Sequence, residues 1–153
     1  MYFVDRKKIE ATLQYMESCL ELFRSVQSWD SDVEHFALER MAHVVIESIV
    51  DVGNAMIDGF IMRDPGSYED IIDILCDETV ITQEESDRLK AFIAYRKTLV
   101  QAYRQVNHSD LKAAFENNFS AIAAFPAQIH RYLEEELGPV SAFLSHGDEE
   151  SAR

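Results

Sequence analysis

From Asp32 to about Ile61 the chain keeps an unbroken helical period, and nearly the whole circumference of that helix is apolar. Leu38, Met41, Ala42, Val45, Ile46, Ile49, Val52, Met56 and Phe60 cover most of it. A helix this apolar has to be buried on most sides, so other helices must surround it. Only one narrow stripe is polar: Arg40, His43, Glu47, Asp51, Asn54 and Asp58, at steps of three and four. Two readings of the stripe stand. It is the solvent face of this helix, or it lines a groove or the seam between two copies. It carries no lysine, and Val44 and Ala55 hem it in, which favours the groove. Glu47 or Asp51 can then pair with an arginine from another helix, such as Arg96. Gly53 and Gly59 lower helix propensity but permit close approach of a neighbour.

The rest of the chain fits around that centre. Ile9, Leu13, Met16, Leu20 and Phe23 make one stripe, which predicts a first helix from Asp5 to about Val26. Ser31 or Asp32 can cap the second helix. Arg63-Asp64-Pro65-Gly66-Ser67 breaks the chain as a turn with a charge pair, and Ser67 can cap a short third helix through Tyr68, Ile71, Ile72 and Leu75. Thr82 followed by Glu85 is a capping box opening a fourth helix, which continues past Tyr103 to Asn107. A fifth runs from about Asp110 to Leu137, with Pro126 bending or interrupting it and Gly138-Pro139 stopping it. No strand is predicted. The expectation is an all-α, up-and-down bundle of about five helices forming one domain over residues 4–144, with a polar tail over 145–153.

Composition narrows the function classes. With 28 acidic against 14 basic side chains, the formal charge of −14 repels nucleic acid on average. An RNA or nucleotide site must therefore be a local patch or a pocket shared between chains. The two cysteines, Cys19 and Cys76, fall at apolar helical positions and read as buried thiols. No apolar run reaches the roughly 20 residues of a membrane span, and no secretory signal is visible, so a cytoplasmic protein is the default. His43, Glu47 and Asp51 share a face, but no second helix supplies the Glu-x-x-His spacing of a carboxylate metal centre, so neither a metal nor a cofactor is expected. Neither a phosphate-cradling glycine loop nor a serine elbow occurs. Tyr2, Tyr15, Tyr68, Tyr95 and Tyr132 read as packing residues.

The chemistry concentrates in Arg96-Lys97-Thr98-Leu99-Val100-Gln101-Ala102-Tyr103. Arg96 and Tyr103 are seven apart and share a face of a continuous helix, whereas Gln101 lies roughly 140° away from Arg96. An arginine holds a phosphate with its fork of donors, and a tyrosine hydroxyl can donate to one. Tyr103 can equally bond Glu47 or Asp51 across the bundle. Convergence of Arg96 and Gln101 on one phosphate needs local unwinding or a second chain.

This segment resembles the signature of HEPN domains, in their HepT-like toxin branch: an arginine, four residues, a histidine, one residue and a tyrosine. Arg96 and Tyr103 match the arginine and tyrosine, and Gln101 occupies the histidine position. Leu38-Glu39-Arg40 followed by Glu47, Asp51 and Asn54, and the break from Asp58-Gly59-Phe60 to Ser67-Tyr68, are similar to the same family. The likeness spans roughly Val4 to Leu137. It implies an all-α homodimer whose paired motifs share a cleft, with metal-independent endoribonuclease activity as the toxin of a toxin–antitoxin system. It also implies a partner, a minimal nucleotidyltransferase antitoxin that can add AMP to the motif tyrosine, here Tyr103. Gln101 cannot shuttle a proton, so activity is expected to be weakened or lost unless another histidine substitutes. His43 on the stripe is the best placed, and His108 lies just past the helix end. The alternative is a non-catalytic HEPN dimer that binds nucleotide or RNA, or scaffolds a partner such as a nucleotidyltransferase.

Overall fold

The structure, a computed structural model, describes residues 2–138. The expected tail over 145–153, the domain end at 144 and Pro139 lie outside the described residues. The helices are α1 (Arg6–Ser25), α2 (Asp32–Gly59), α3 (Tyr68–Asp77), α4 (Gln83–Ile93), α5 (Arg96–Gln101), α6 (His108–Asn117) and α7 (Phe119–Leu137), with a 3₁₀ turn over Tyr103–Gln105 between α5 and α6. The described residues contain no strand.

The helix starts follow from side-chain caps. Ser31 and Glu34 form a reciprocal capping box at α2, Thr82 and Glu85 another at α4, and Ser67 Oγ accepts from the Asp70 amide at α3. α2 is the central helix, and Leu38, Ala42, Val45, Ile46, Ile49 and Met56 on it are wholly buried. Its neighbours are α1, α3, α5 and α6. The α1 stripe is buried as its period requires. α1 and α2 run antiparallel: Phe3 N donates to Gly59 O at 3.1 Å, and Cys19 Sγ to Met41 O at 3.7 Å. α7 returns antiparallel to α1, with His130 Nε2 2.9 Å from Glu10 at one end and the Arg24 guanidinium over the Phe119 ring at the other. Phe23 stacks on Phe115 at 3.9 Å and closes the core between α1 and α6.

The expected fourth and fifth helices are each broken in two. The fourth stops at Ile93; Tyr95 N bonds Phe92 O, a tighter turn than the α-helix, and α5 then starts afresh. None of the six residues of α5 is fully buried, so no apolar face holds the segment to one continuous axis. The fifth is interrupted at Asn118, not at Pro126. Asn118 Nδ2 donates to Ala114 O at 2.8 Å, and its backbone (φ −105°, ψ 6°) departs from helical angles, although its N–H still donates to Ala114 O and its carbonyl still accepts from Ile122 N. Pro126 sits buried inside α7, which continues through it.

Three smaller expectations are also corrected. Arg63 pairs with Asp70, in two bonds of 2.7 Å, and not with its neighbour Asp64. Cys19 and Cys76 are half-buried free thiols, and burial pushes the Cys19 thiol up from its ordinary value. Tyr15 and Tyr68 are exposed rather than core residues, while Tyr2, also exposed, packs edge-on against Phe60 at 4.9 Å.

Candidate functional site

Four side chains from three helices meet on the polar stripe of α2. Arg96, the first residue of α5, donates from Nε to Glu47 Oε1 at 2.5 Å. His43 Nε2 lies 3.6 Å from the same oxygen, one turn earlier on α2. The ring of Tyr68, the first residue of α3, lies under the Arg96 guanidinium with Cζ 4.2 Å from its centroid. The hydrogen bond to Glu47 raises the Arg96 pKa further above its ordinary value, against a smaller opposing effect of burial, with charges on Glu47, Tyr68 and Asp51 adding to it. The guanidinium is therefore a permanent cation. Its Nη1 and Nη2 donate to no acceptor among the described residues, and its side chain remains 24% exposed.

The stripe proves to be partly groove and partly open face. Glu47 and Asp51 line a shallow groove of about 350 Å³ with Val44 and Ser48 of α2 and Ala11, Thr12 and Tyr15 of α1. His43, Glu47 and Asn54 are half-buried; Arg40, Asp51 and Asp58 are exposed. The pairing of Arg96 with this stripe, expected for Glu47 or Asp51, falls on Glu47.

The three motif residues do not share one helix face. α5 ends at Gln101, Ala102 leaves the helical region (φ −110°, ψ 40°), and Tyr103 opens the 3₁₀ turn. This unwinding separates Tyr103 from the face that a continuous helix would have given it. Gln101 is exposed, and Tyr103 is 63% exposed. Neither side chain makes a hydrogen bond among the described residues, so the Tyr103 hydroxyl bonds neither Glu47 nor Asp51.

A second cluster closes the far end of the segment. His108, the first residue of α6, sits with Nε2 2.9 Å from Glu39 Oε2, and its ring stacks on His35 at 4.1 Å. Glu39, His43 and Glu47 follow one another at steps of four on α2. The segment from Arg96 to His108 is thus pinned to α2 at two points about 12 Å apart along its axis. Sequence reasoning missed the Tyr68–Arg96 stack and the His35–His108 stack. The Glu39–His43–Glu47 spacing was a visible signal for a line of anchors. Nothing in the sequence pointed to Tyr68, because its contact depends on how α3 docks.

An all-α bundle of this helix order matches a known class. The Ribonuclease HepT-like family model matches residues 5–129, and the chain belongs to that family. It is 56% identical over 143 residues to "Putative RNase YutE" of Bacillus subtilis (strain 168), covering 94% of this chain and 99% of that one. The solved structure of YutE, described as a cytosolic protein of unknown function, superimposes with a TM-score of 0.90 over 93% of this chain and 99% of that chain. A tri-AMPylated Shewanella oneidensis HEPN toxin in complex with MNT antitoxin shares the fold at a TM-score of 0.71 and 17% identity, over 80% of this chain and 96% of that chain. Among the described residues, no helix is long and apolar enough to cross a membrane.

Proposed function

We propose that this chain is a metal-independent RNA endonuclease of the HEPN type, acting in the cytoplasm as the toxin component of a toxin–antitoxin pair. The observation that carries this reading is the Arg96 guanidinium, held by Glu47 and Tyr68 with neither terminal nitrogen bonded among the described residues. That edge matches two oxygens of a phosphodiester and can stabilise the charge that grows on the phosphorane. The attacking 2′-hydroxyl gives up a proton as its oxygen bonds phosphorus, and the 5′-oxygen leaves and takes one up. His43, beside the same carboxylate as Arg96, is the imidazole we assign to proton transfer. Gln101 can orient a hydroxyl or phosphate oxygen but can move no proton. Asp51 and Asn54 continue the polar wall, and Arg40 adds positive charge at its other end.

Two copies sharing a cleft would bring the exposed Gln101 and Tyr103 of each chain toward one substrate. The same exposure leaves the Tyr103 hydroxyl open to AMP transfer by a nucleotidyltransferase-type antitoxin; the HEPN toxin of similar fold is AMPylated and bound to an MNT antitoxin. Gln101 in the histidine position favours a second reading: a HEPN dimer that binds RNA or nucleotide, or scaffolds its partner, without cleaving.

The test is RNA cleavage in EDTA by the native chain, Arg96→Ala and Gln101→His. Native cleavage lost in Arg96→Ala supports the nuclease. Activity appearing only in Gln101→His supports a scaffold that has lost its proton shuttle, since general acid–base catalysis is worth roughly 10²–10⁴ in rate. Silence in all three, with saturable RNA binding, moves the assignment to the non-catalytic dimer.

A further inference from the structure

We propose that Tyr68 is a positioning residue of this site, setting the plane of the Arg96 guanidinium so that its two terminal nitrogens meet a phosphate. The inference rests on the reading of Arg96 as the phosphate-holding group. A guanidinium is a rigid plane. The single bond from Nε to Glu47 lies in that plane and fixes one direction, but it leaves the plane free to tilt about the bond. Cζ, the centre of that plane, lies over the Tyr68 ring at 4.2 Å from its centroid, so the ring is a second contact on the guanidinium besides the Nε bond. Two contacts from different helices, one at Nε and one at Cζ, restrict the orientation more than either does alone. The edge left over carries Nη1 and Nη2, the fork that suits bidentate phosphate binding.

Tyr68 is suited to the task because its own backbone is held. Asp70 accepts two bonds from Arg63 at 2.7 Å and one from the Gly66 amide at 2.8 Å, and its own amide is capped by Ser67 Oγ. These contacts close the loop that delivers Tyr68 to the start of α3. Tyr68 is 45% exposed, and its ring contact is with the Arg96 guanidinium. Its hydroxyl bonds nothing among the described residues, which places the contribution in the ring.

The test compares the native chain with Tyr68→Phe and Tyr68→Ala. Two quantities are read: steady-state cleavage of a single-stranded RNA in EDTA, and the NMR order parameter of the Arg96 Nε–H. Tyr68→Phe should match the native chain in both. Tyr68→Ala should lower kcat/KM by roughly 5- to 30-fold, the range expected for loss of a partly desolvated cation–π contact, and should lower the order parameter. An unchanged order parameter in Tyr68→Ala overturns the proposal, as does loss of order in Tyr68→Phe. If the native chain neither cleaves nor binds RNA, the nuclease reading fails, and the order parameter still decides whether Tyr68 holds the guanidinium.

Discussion

At the scale of single residues, charge pairs do the local fixing, and the best defined is Arg63 with Asp70. The two guanidinium bonds, helped by the Gly66 amide, hold the Asp70 carboxyl down to about 2 from an ordinary 3.8. A carboxyl whose folded pKa lies below its unfolded one contributes stability above the unfolded value and loses it as pH falls through the folded value. Arg63→Ala should therefore melt below the native chain near neutral pH. The gap should narrow between about pH 4 and pH 2, as native Asp70 takes up its proton. Thermal melts across that window check this; a gap independent of pH would mean that Arg63 acts through packing. A pairing of Arg96 with Glu47 or Asp51 was legible beforehand, because a stripe without lysine and hemmed in by apolar residues reads as a groove; the choice of Glu47 was not. The Tyr68 stack was not, since nothing local to Tyr68 distinguishes it from the other exposed tyrosines.

Among the elements, glycine sets how closely α3 can lie on α2. A Cβ on Gly53 would come within 2.5 Å of Ile71 Cγ2, so the Ile71 side chain or α3 itself has to shift. Gly53→Ala gains up to about 1 kcal/mol of helix propensity and loses about 1–3 kcal/mol to overpacking, so net destabilisation is expected. Gly66→Ala, where an added Cβ meets only Asp70 Oδ2 at 3.7 Å, is the control. Urea unfolding of both variants decides the matter, and a Gly53→Ala chain as stable as native would mean that α3 is free to shift. Helix starts were readable from Ser67 and from the Thr82–Glu85 box, because a cap is a contact between residues three apart. The breaks near Tyr95 and at Asn118 were not. Neither carries Gly or Pro: α5 has no fully buried residue to keep it on the axis of α4, and Asn118 turns its side-chain amide back onto Ala114 O.

Across the whole molecule, the acidic surface and the open motif have to be reconciled with an RNA substrate. Under the proposed reading, a cleft shared between two copies would do this by bringing two Arg96 side chains to one phosphate. Sedimentation at micromolar concentration should give twice the monomer mass, and a monomer at that concentration would remove the shared cleft from the reading. The sequence by itself determined the class of fold: the period of α1 and α2 and the caps of α3 and α4 are local, and each specifies a helix whatever surrounds it. It also marked Arg96, Gln101 and Tyr103, together with the polar stripe of α2, as the residues to watch. Only the tertiary structure decided that α5 is a separate short helix, that Tyr103 sits on an unwound turn, and that Tyr68 and His108 join the stripe of α2. Those outcomes depend on contacts between residues far apart in the chain, and their energies exist only once the helices have packed.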